Sequence, residues 1–146
     1  MDSLKITLDK FTFEVANDRL YTPEGVWVKP EGQTIRIGIS DFLQQSSGDV
    51  AFADVKPVDS TVSLGDEVAA IETIKVNLSL ASPASGKILE VNPSLETSPE
   101  VINQDPYGEG WLALIEPSNW QSEQHRLLTA QAYFEKMKTD AAQELR

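Results

Sequence analysis

The sequence predicts a mainly β fold with short helices and a C-terminal helix. Residues 4–8 and 34–39 alternate apolar and polar side chains with a period of two, as half-buried strands do. Gly, Pro, Asn and Asp recur between short apolar runs, which is typical of the turns between antiparallel strands. After Pro117 the apolar residues take on helical spacing instead.

Turn and capping residues set the order of the elements. A strand at residues 26–28 precedes a predicted turn at residues 29–32 (KPEG). A short helix is expected after Ser40 or Asp41 as N-cap. A second is expected with Ser98 as N-cap and Pro99 in the first helical position.

The C-terminal segment predicts an amphipathic helix with Thr129 as a cap. Its helical spacing is carried by Leu127, Gln131, Phe134, Lys138, Ala141 and Leu145. Its predicted sheet-facing residues are Leu127, Leu128, Phe134 and Met137, and its water-facing residues are Glu135, Lys136 and Lys138. We expect one domain over residues 1–146, with a core at about 21–117 and a helical segment at about 118–146.

Composition removes several classes of chemistry. The 146 residues include no cysteine and one histidine, His125, which excludes thiol nucleophiles and Cys-based metal sites and disfavours a multi-His site. The net charge of −11 disfavours nucleic acid as a partner. Apolar runs are too short to cross a bilayer, and the first ten residues lack an apolar signal-peptide segment. We expect a cytoplasmic, monomeric protein without a metal site or catalytic side chains.

The negative charge is concentrated in one part of the chain. Residues 57–125 contain eleven acidic and two basic residues, which gives −9 of the total −11. Such a stretch favours a solvated surface, or an acidic docking surface for basic partners. The two basic residues are Lys75 and Lys87.

Lys75 is predicted to lie at or beside the tip of a hairpin. Ala69 and Ile71 are apolar at odd positions, whereas the apolar residues of positions 74–80 fall at even ones. Because a one-residue shift moves side chains to the opposite face, the chain must turn or bulge between Glu72 and Lys75. Turn signals at residues 65–66 and 83–88 flank the lysine on both sides. An exposed lysine between two turns is the arrangement that a carrier domain needs, although a lone strand-end lysine is more often an ordinary surface residue.

Three motifs resemble the lipoyl-domain family, and specifically the glycine cleavage H proteins. Residues 72–76 (ETIKV) resemble that family's Glu-Ser-Val-Lys-Ala motif, whose lysine carries lipoate. Residues 82–92 resemble its Pro-Val-Ser-Gly strand and turn, and residues 105–111 (DPYGEGW) are close to a family signature. The resemblance runs from about residue 21 to residue 134.

The resemblance implies a barrel-sandwich hybrid of two small antiparallel sheets, with lipoic acid joined to Lys75 by an amide bond. Glu72 would help a lipoate-attaching enzyme to recognise the site, or would simply keep the strand soluble. The implied role is a carrier rather than an enzyme, which shuttles an aminomethyl group and reducing equivalents. Its implied partners are a pyridoxal-phosphate-dependent glycine decarboxylase, a tetrahydrofolate-using aminomethyltransferase and a flavin lipoamide dehydrogenase.

Departures from the family pattern leave alternatives open. The family's His-Glu-Trp is replaced by Gly25, Val26 and Trp27, so the histidine and the carboxylate are absent. An H-like lipoate-binding protein of another pathway, such as sulfur oxidation with a heterodisulfide-reductase-like complex, is therefore the second hypothesis. A biotinyl carrier is less favoured, because Ile74 and Val76 flank Lys75 where biotin carriers have Met-Lys-Met. An unmodified binding module is the structural alternative.

Overall fold

The computed structural model describes residues 2–145 and shows a mainly β protein with a C-terminal helix. The strands are β1 (Ser3–Leu8), β2 (Phe11–Ala16), β3 (Leu20–Tyr21), β4 (Val26–Glu31), β5 (Thr34–Ile39), β6 (Val50–Val55), β7 (Thr61–Val62), β8 (Glu67–Thr73), β9 (Asn77–Ala81), β10 (Gly86–Val91) and β11 (Ala113–Pro117). The helices are α1 (Asp41–Ser47), α2 (Ser94–Thr97), α3 (Val101–Gln104), α4 (Trp120–Glu123) and α5 (Ala130–Glu144), and a 3-10 turn covers Gln124–Arg126.

Two antiparallel sheets enclose the main hydrophobic core. The six-stranded sheet has the order β3-β4-β5-β11-β10-β7, and the three-stranded sheet has the order β6-β8-β9. Apolar side chains from both sheets meet between them, among them Val28 and Ile37 from one sheet and Ile71 and Leu80 from the other. Burial of this shared surface is the main force that holds the β8–β9 hairpin against the larger sheet.

A third, two-stranded sheet lies at the N-terminus. Strands β1 and β2 pair antiparallel over their whole length, and α5 packs against both. This hairpin was not anticipated as a unit, because only residues 4–8 carried a clear strand pattern. The two-sheet barrel-sandwich prediction is confirmed, with this hairpin as an addition.

A second apolar cluster joins the N-terminal hairpin and α5 to the six-stranded sheet. Tyr21 and Tyr133 stack with ring centroids 4.5 Å apart, and the Tyr107 hydroxyl donates to the Glu14 carbonyl at 2.7 Å. Ser40 Oγ and the Tyr133 hydroxyl are hydrogen-bonded at 2.7 Å. Burial raises the pKa of Tyr133 to about 12 and that of the other two tyrosines well above the usual value.

Most of the predicted helices and strands are confirmed. Strand β5 covers the predicted residues, Ser40 caps α1 by accepting from the Leu43 amide, and Thr129 caps α5 by accepting from the Ala132 amide. Phe134 and Met137 are buried as predicted, and Lys138 is half-buried because its ammonium lies over the Phe134 ring.

Two local predictions were wrong. Strand β4 continues through Pro30 to Glu31, and the turn follows at Gly32, whose φ of +64° suits a residue without a Cβ. Helix α3 begins at Val101, and no side chain caps it. The turn that precedes it uses the backbone carbonyl of Ser98, which accepts from the Val101 amide.

The tyrosine cluster predicts cooperative unfolding in alkali. Below pH 10, the ordinary tyrosine pKa, all three phenols are neutral in both states, so the full stability is present. Above that pH the unfolded chain ionises first, so stability falls until the pH passes the raised folded-state pKa, about 12 for Tyr133. Tyrosinate absorbance and near-ultraviolet circular dichroism should change together in one step. Gradual ionisation of the phenols while the circular dichroism stays native would contradict this.

Candidate functional site

A tight turn joins strands β8 and β9 and carries Lys75 at its tip. Glu72 pairs with Asn77 at the end of the ladder, which leaves residues 74–76 to reverse the chain. The Thr73 amide donates to the Val76 carbonyl at 2.9 Å and closes the turn. The predicted position of Lys75 at a hairpin tip is therefore confirmed.

The hydroxyl of Thr73 organises this turn from inside. Its Oγ1 accepts hydrogen bonds from the Lys75 amide at 3.1 Å and the Val76 amide at 2.9 Å. The same hydroxyl lies 2.6 Å from the Ser47 carbonyl, to which it donates. Thr73 is only 8% exposed, so these bonds are shielded from competing water. The hydroxyl therefore closes the turn from within and also bonds the turn to the end of α1.

The segment that follows α1 supports the hairpin from the side. The Ile74 amide donates to the Asp49 carbonyl at 3.0 Å. Gly48 adopts a φ of +93°, so the chain can leave α1 beside the turn. Asn103 of α3 spans this segment: its Oδ1 accepts from the Val50 amide at 2.9 Å, and its Nδ2 donates to the Gly48 carbonyl at 3.1 Å. The backbone beneath Lys75 is thus held by two separate elements.

The Lys75 side chain is exposed above this fixed backbone. Its Nζ donates to the Ser46 carbonyl at 3.0 Å. Ile74 is 75% exposed and Val76 is 42% exposed. Both lie in the turn, beyond the end of the ladder, and the register no longer directs them inward. The amine is therefore open to solvent across the turn.

Glu72 lies on the outer face of β8, three residues before the lysine. Its side chain is exposed, between the buried residues Ile71 and Thr73. Opposite it stand Asn77 of β9 and Phe52 of β6. The carboxylate is thus presented to solvent near the hairpin tip, where a second protein can contact it.

Several residues that shape the site carried no functional prediction. Ser46, Ser47 and Asn103 come from outside the hairpin, and nothing in their local sequence marks them as neighbours of Lys75. Thr73 lies inside the ETIKV segment, and a Ser or Thr that bonds to amides two and three residues ahead is a known turn device. That signal was present in the sequence but was not used.

The replacement of the family's histidine and carboxylate has a structural counterpart. Gly25 has a φ of +104°, and a Cβ on it would lie 3.1 Å from both Ser40 Oγ and the Tyr133 hydroxyl. A side chain at position 25 would crowd the hydrogen bond between those two groups. Trp27, which is retained, is buried and donates from Nε1 to the Pro106 carbonyl at 2.9 Å. Glycine in place of the family's histidine therefore leaves room for Tyr133 of α5 to pack closely on the sheet.

Within residues 2–145, no group of three or more His, Asp or Glu side chains is arranged to hold a metal ion. His125, the single histidine, is exposed in the 3-10 turn. No helix in the same part of the chain is long and apolar enough to span a membrane.

Comparisons with known proteins agree on one family. The family model described as glycine cleavage H-protein matches residues 19–140. The chain is 38% identical over 128 residues to the glycine cleavage system H protein of Thermus thermophilus, which covers 88% of this chain and 99% of that protein. It is 42% identical over 113 residues to the protein of the same name from Bacteroides thetaiotaomicron, which covers 77% of this chain and 89% of that protein.

A solved structure shows the same fold. The crystal structure of a glycine cleavage system H protein from Mycobacterium marinum superposes with a TM-score of 0.70 at 33% identity, and the match covers 82% of this chain and 95% of that one. Fold, sequence and the matched range are consistent with one another, and the chain belongs to the glycine cleavage H-protein family.

Proposed function

We propose that this protein is the lipoyl carrier of a glycine cleavage system and that Lys75 carries the lipoyl group. The observation that carries the proposal is the hairpin tip, where an exposed amine stands on a backbone held by Thr73. Membership of the H-protein family indicates that the pathway is glycine cleavage. We infer that residues 1–146 act as one carrier domain.

The residues at the tip fit the proposed cofactor. Attachment forms an amide between Lys75 Nζ and the carboxyl carbon of lipoate, with loss of a proton from the amine and of the leaving group from the activated acid. The product is neutral, and the turn requires no counter-ion, because Lys75 Nζ contacts the uncharged Ser46 carbonyl. When bound, the dithiolane supplies reversible thiol–disulfide chemistry and a sulfur that carries the aminomethyl group. The chain itself contains no thiol.

The proposed partners are a lipoate-attaching enzyme, glycine decarboxylase, aminomethyltransferase and lipoamide dehydrogenase. The protein acts as their shared co-substrate and not as an enzyme. Glu72 is placed to be contacted during attachment, because it is exposed beside the tip. The surplus of acidic residues between positions 57 and 125 suits partners whose docking surfaces are basic.

Intact mass tests the site. After expression with a lipoate supply, the wild-type protein should gain one lipoyl increment, and Lys75→Arg should lose it, because the guanidinium is not acylated. Lys87→Arg is the matched control, since Lys87 is the other basic residue of positions 57–125 and is also exposed. An increment that persists in Lys75→Arg would reject the assignment. A biotinyl increment would favour a biotin carrier, and no increment would favour an unmodified module.

Thr73→Val should weaken both the turn and the attachment reaction. The substitution keeps the shape but removes the hydroxyl that serves three backbone groups, so we expect a loss of about 1–3 kcal/mol in the free energy of unfolding. Lipoylation should slow about tenfold, which corresponds to about 1.4 kcal/mol of lost preorganisation. Thr73→Ser, which keeps the hydroxyl, should restore most of both quantities. Equal lipoylation rates for the valine variant and the wild type would show that the hydroxyl does not prepare the site.

Exchange of labelled bicarbonate into glycine tests the pathway. The lipoylated protein should support this exchange by the glycine decarboxylase of the same organism, and Lys75→Arg should not. Failure of a fully lipoylated sample with its native partner enzyme would favour a lipoate-dependent pathway other than glycine cleavage.

A further inference from the structure

The three-stranded sheet carries an exposed aromatic side chain on the face that points away from the core. Phe52 of β6 is 57% exposed and lies directly opposite Glu72 of β8. Asp54, two residues further along β6, lies opposite Ala70, and Asn77 of β9 lies opposite Glu72 on its other side. Because opposite residues share a face and side chains alternate along a strand, these five side chains form one surface, the outer face.

A groove of about 290 Å³ crosses the outer face and is open to solvent. All five residues of the outer face line it, together with Ile71 and Leu78. Ala70, which is half-buried, has the smallest side chain among them. Since an alanine has only a methyl group, the longer side chains around it stand higher and leave a depression beside the Phe52 ring.

The outer face is also acidic. The groove is lined by the carboxylates of Asp54 and Glu72 and by no basic side chain. Neither carboxylate makes a hydrogen bond or an ion pair with a residue between positions 2 and 145. Lys56, which follows β6, lies 4.0 Å from Glu67 at the opposite end of β8. Both carboxylates are therefore available to cations of another molecule, with which they would form charge-assisted hydrogen bonds.

The outer face adjoins the turn that carries Lys75. Glu72 and Asn77 form the last pair of the ladder, and residues 74–76 follow directly. An enzyme that acylates the lysine must bring its acyl carbon to Nζ itself, so its surface has to lie against the residues around the turn. Enzymes that later act on the dithiolane meet the far end of a flexible arm and do not require that contact. The position of the outer face therefore favours the attaching enzyme as its occupant.

We propose that the lipoate-attaching enzyme docks on the outer face, with Phe52 as the apolar anchor and Asp54 and Glu72 as the charged contacts. The inference rests on the proposed lipoylation of Lys75. The complementary surface has an apolar pocket for the Phe52 ring, edged by lysine or arginine side chains that reach the two carboxylates. Aromatic residues are enriched in the cores of protein interfaces, where a ring leaves water on both sides of the contact.

A second copy of this chain does not fit the outer face. A symmetric contact between two copies would bring Asp54 and Glu72 of one copy against the same carboxylates of the other. The net charge of −11 adds a general repulsion between copies. Charge complementarity thus favours a basic partner.

The kinetics of attachment test the anchor. With the lipoate ligase of the same organism, lipoate and ATP, Phe52→Ala should raise the KM for the carrier about tenfold, which corresponds to the loss of an interface anchor. The kcat should stay within about twofold of wild type, because the chemistry at Lys75 is untouched once the carrier is bound. Val58→Ala is the control, since Val58 is 49% exposed and lies outside the groove. An unchanged KM for Phe52→Ala, or an equal rise in the control, would overturn the proposal.

Removal of the two carboxylates tests the charged contacts. Asp54→Asn with Glu72→Gln should raise the KM about fivefold at low salt and remove most of the salt dependence that wild type shows. Glu90→Gln with Glu116→Gln is the matched control, because it removes the same charge from exposed positions of the six-stranded sheet. The same rise in both double variants would show that net charge alone steers the enzyme, which would overturn the role of the outer face.

Oxidation of the finished arm distinguishes the attaching enzyme from a later partner. Wild type and Phe52→Ala, both fully lipoylated by intact mass and then reduced, should be oxidised by lipoamide dehydrogenase at rates within about twofold of each other. A loss of about tenfold at this step would assign the outer face to the dehydrogenase and overturn the proposal. Absence of the lipoyl increment from wild type would instead reject the lipoylation of Lys75, and this inference with it.

Discussion

The hydroxyl of Thr73 is the interaction on which the hairpin tip depends. A carrier lysine must be free to move at its end, while the backbone below it has to keep one shape for every enzyme that meets it. A single buried hydroxyl fixes the shape of the backbone, because it accepts from the Lys75 and Val76 amides and donates to the Ser47 carbonyl. With these backbone amides satisfied from inside, the Lys75 side chain is left exposed, and its Nζ donates to the Ser46 carbonyl.

The rest of the fold places that hydroxyl. Two strands alone are marginally stable in water, but β8 is flanked by β6 as well as β9 and buries Val68 and Ile71 against the larger sheet. The carbonyl that Thr73 requires comes from the end of α1, and Asn103 holds the following residues in position. Rigidity at the tip is therefore a property of three elements that are distant in sequence.

The N-terminal hairpin and α5 form a second layer around this core. Their contact depends on Tyr133, which stacks on Tyr21 and bonds to Ser40, and on the absence of a side chain at Gly25. The same packing brings Phe11 and Leu145 to the side of Lys75. Gly25 thus departs from the family pattern at the place where α5 packs on the sheet. The N-terminal hairpin and the last residues of α5 lie outside the family match, which covers residues 19–140.

Local sequence patterns were enough for much of this protein. The period-2 alternation of β5, the caps at Ser40 and Thr129 and the phase change before Lys75 depend on neighbours along the chain, so each could be predicted without a structure. A local pattern does not show where a ladder ends: Ile74 and Val76 continue the alternation of β9 in sequence, but the ladder has already ended at Asn77, so they face solvent. Ser98 has the residue type of a cap, yet only its backbone is used.

The sequence by itself determined the fold class, the exposed lysine between two turns and the lack of any thiol in the chain. Only the tertiary structure decided what surrounds that lysine. Ser46, Asn103, Phe11 and Leu145 are brought to it by long-range packing, and no local pattern encodes contacts between residues that lie tens of positions apart. Local propensities act within a few residues, whereas the neighbours of a site follow from how whole elements bury their apolar faces.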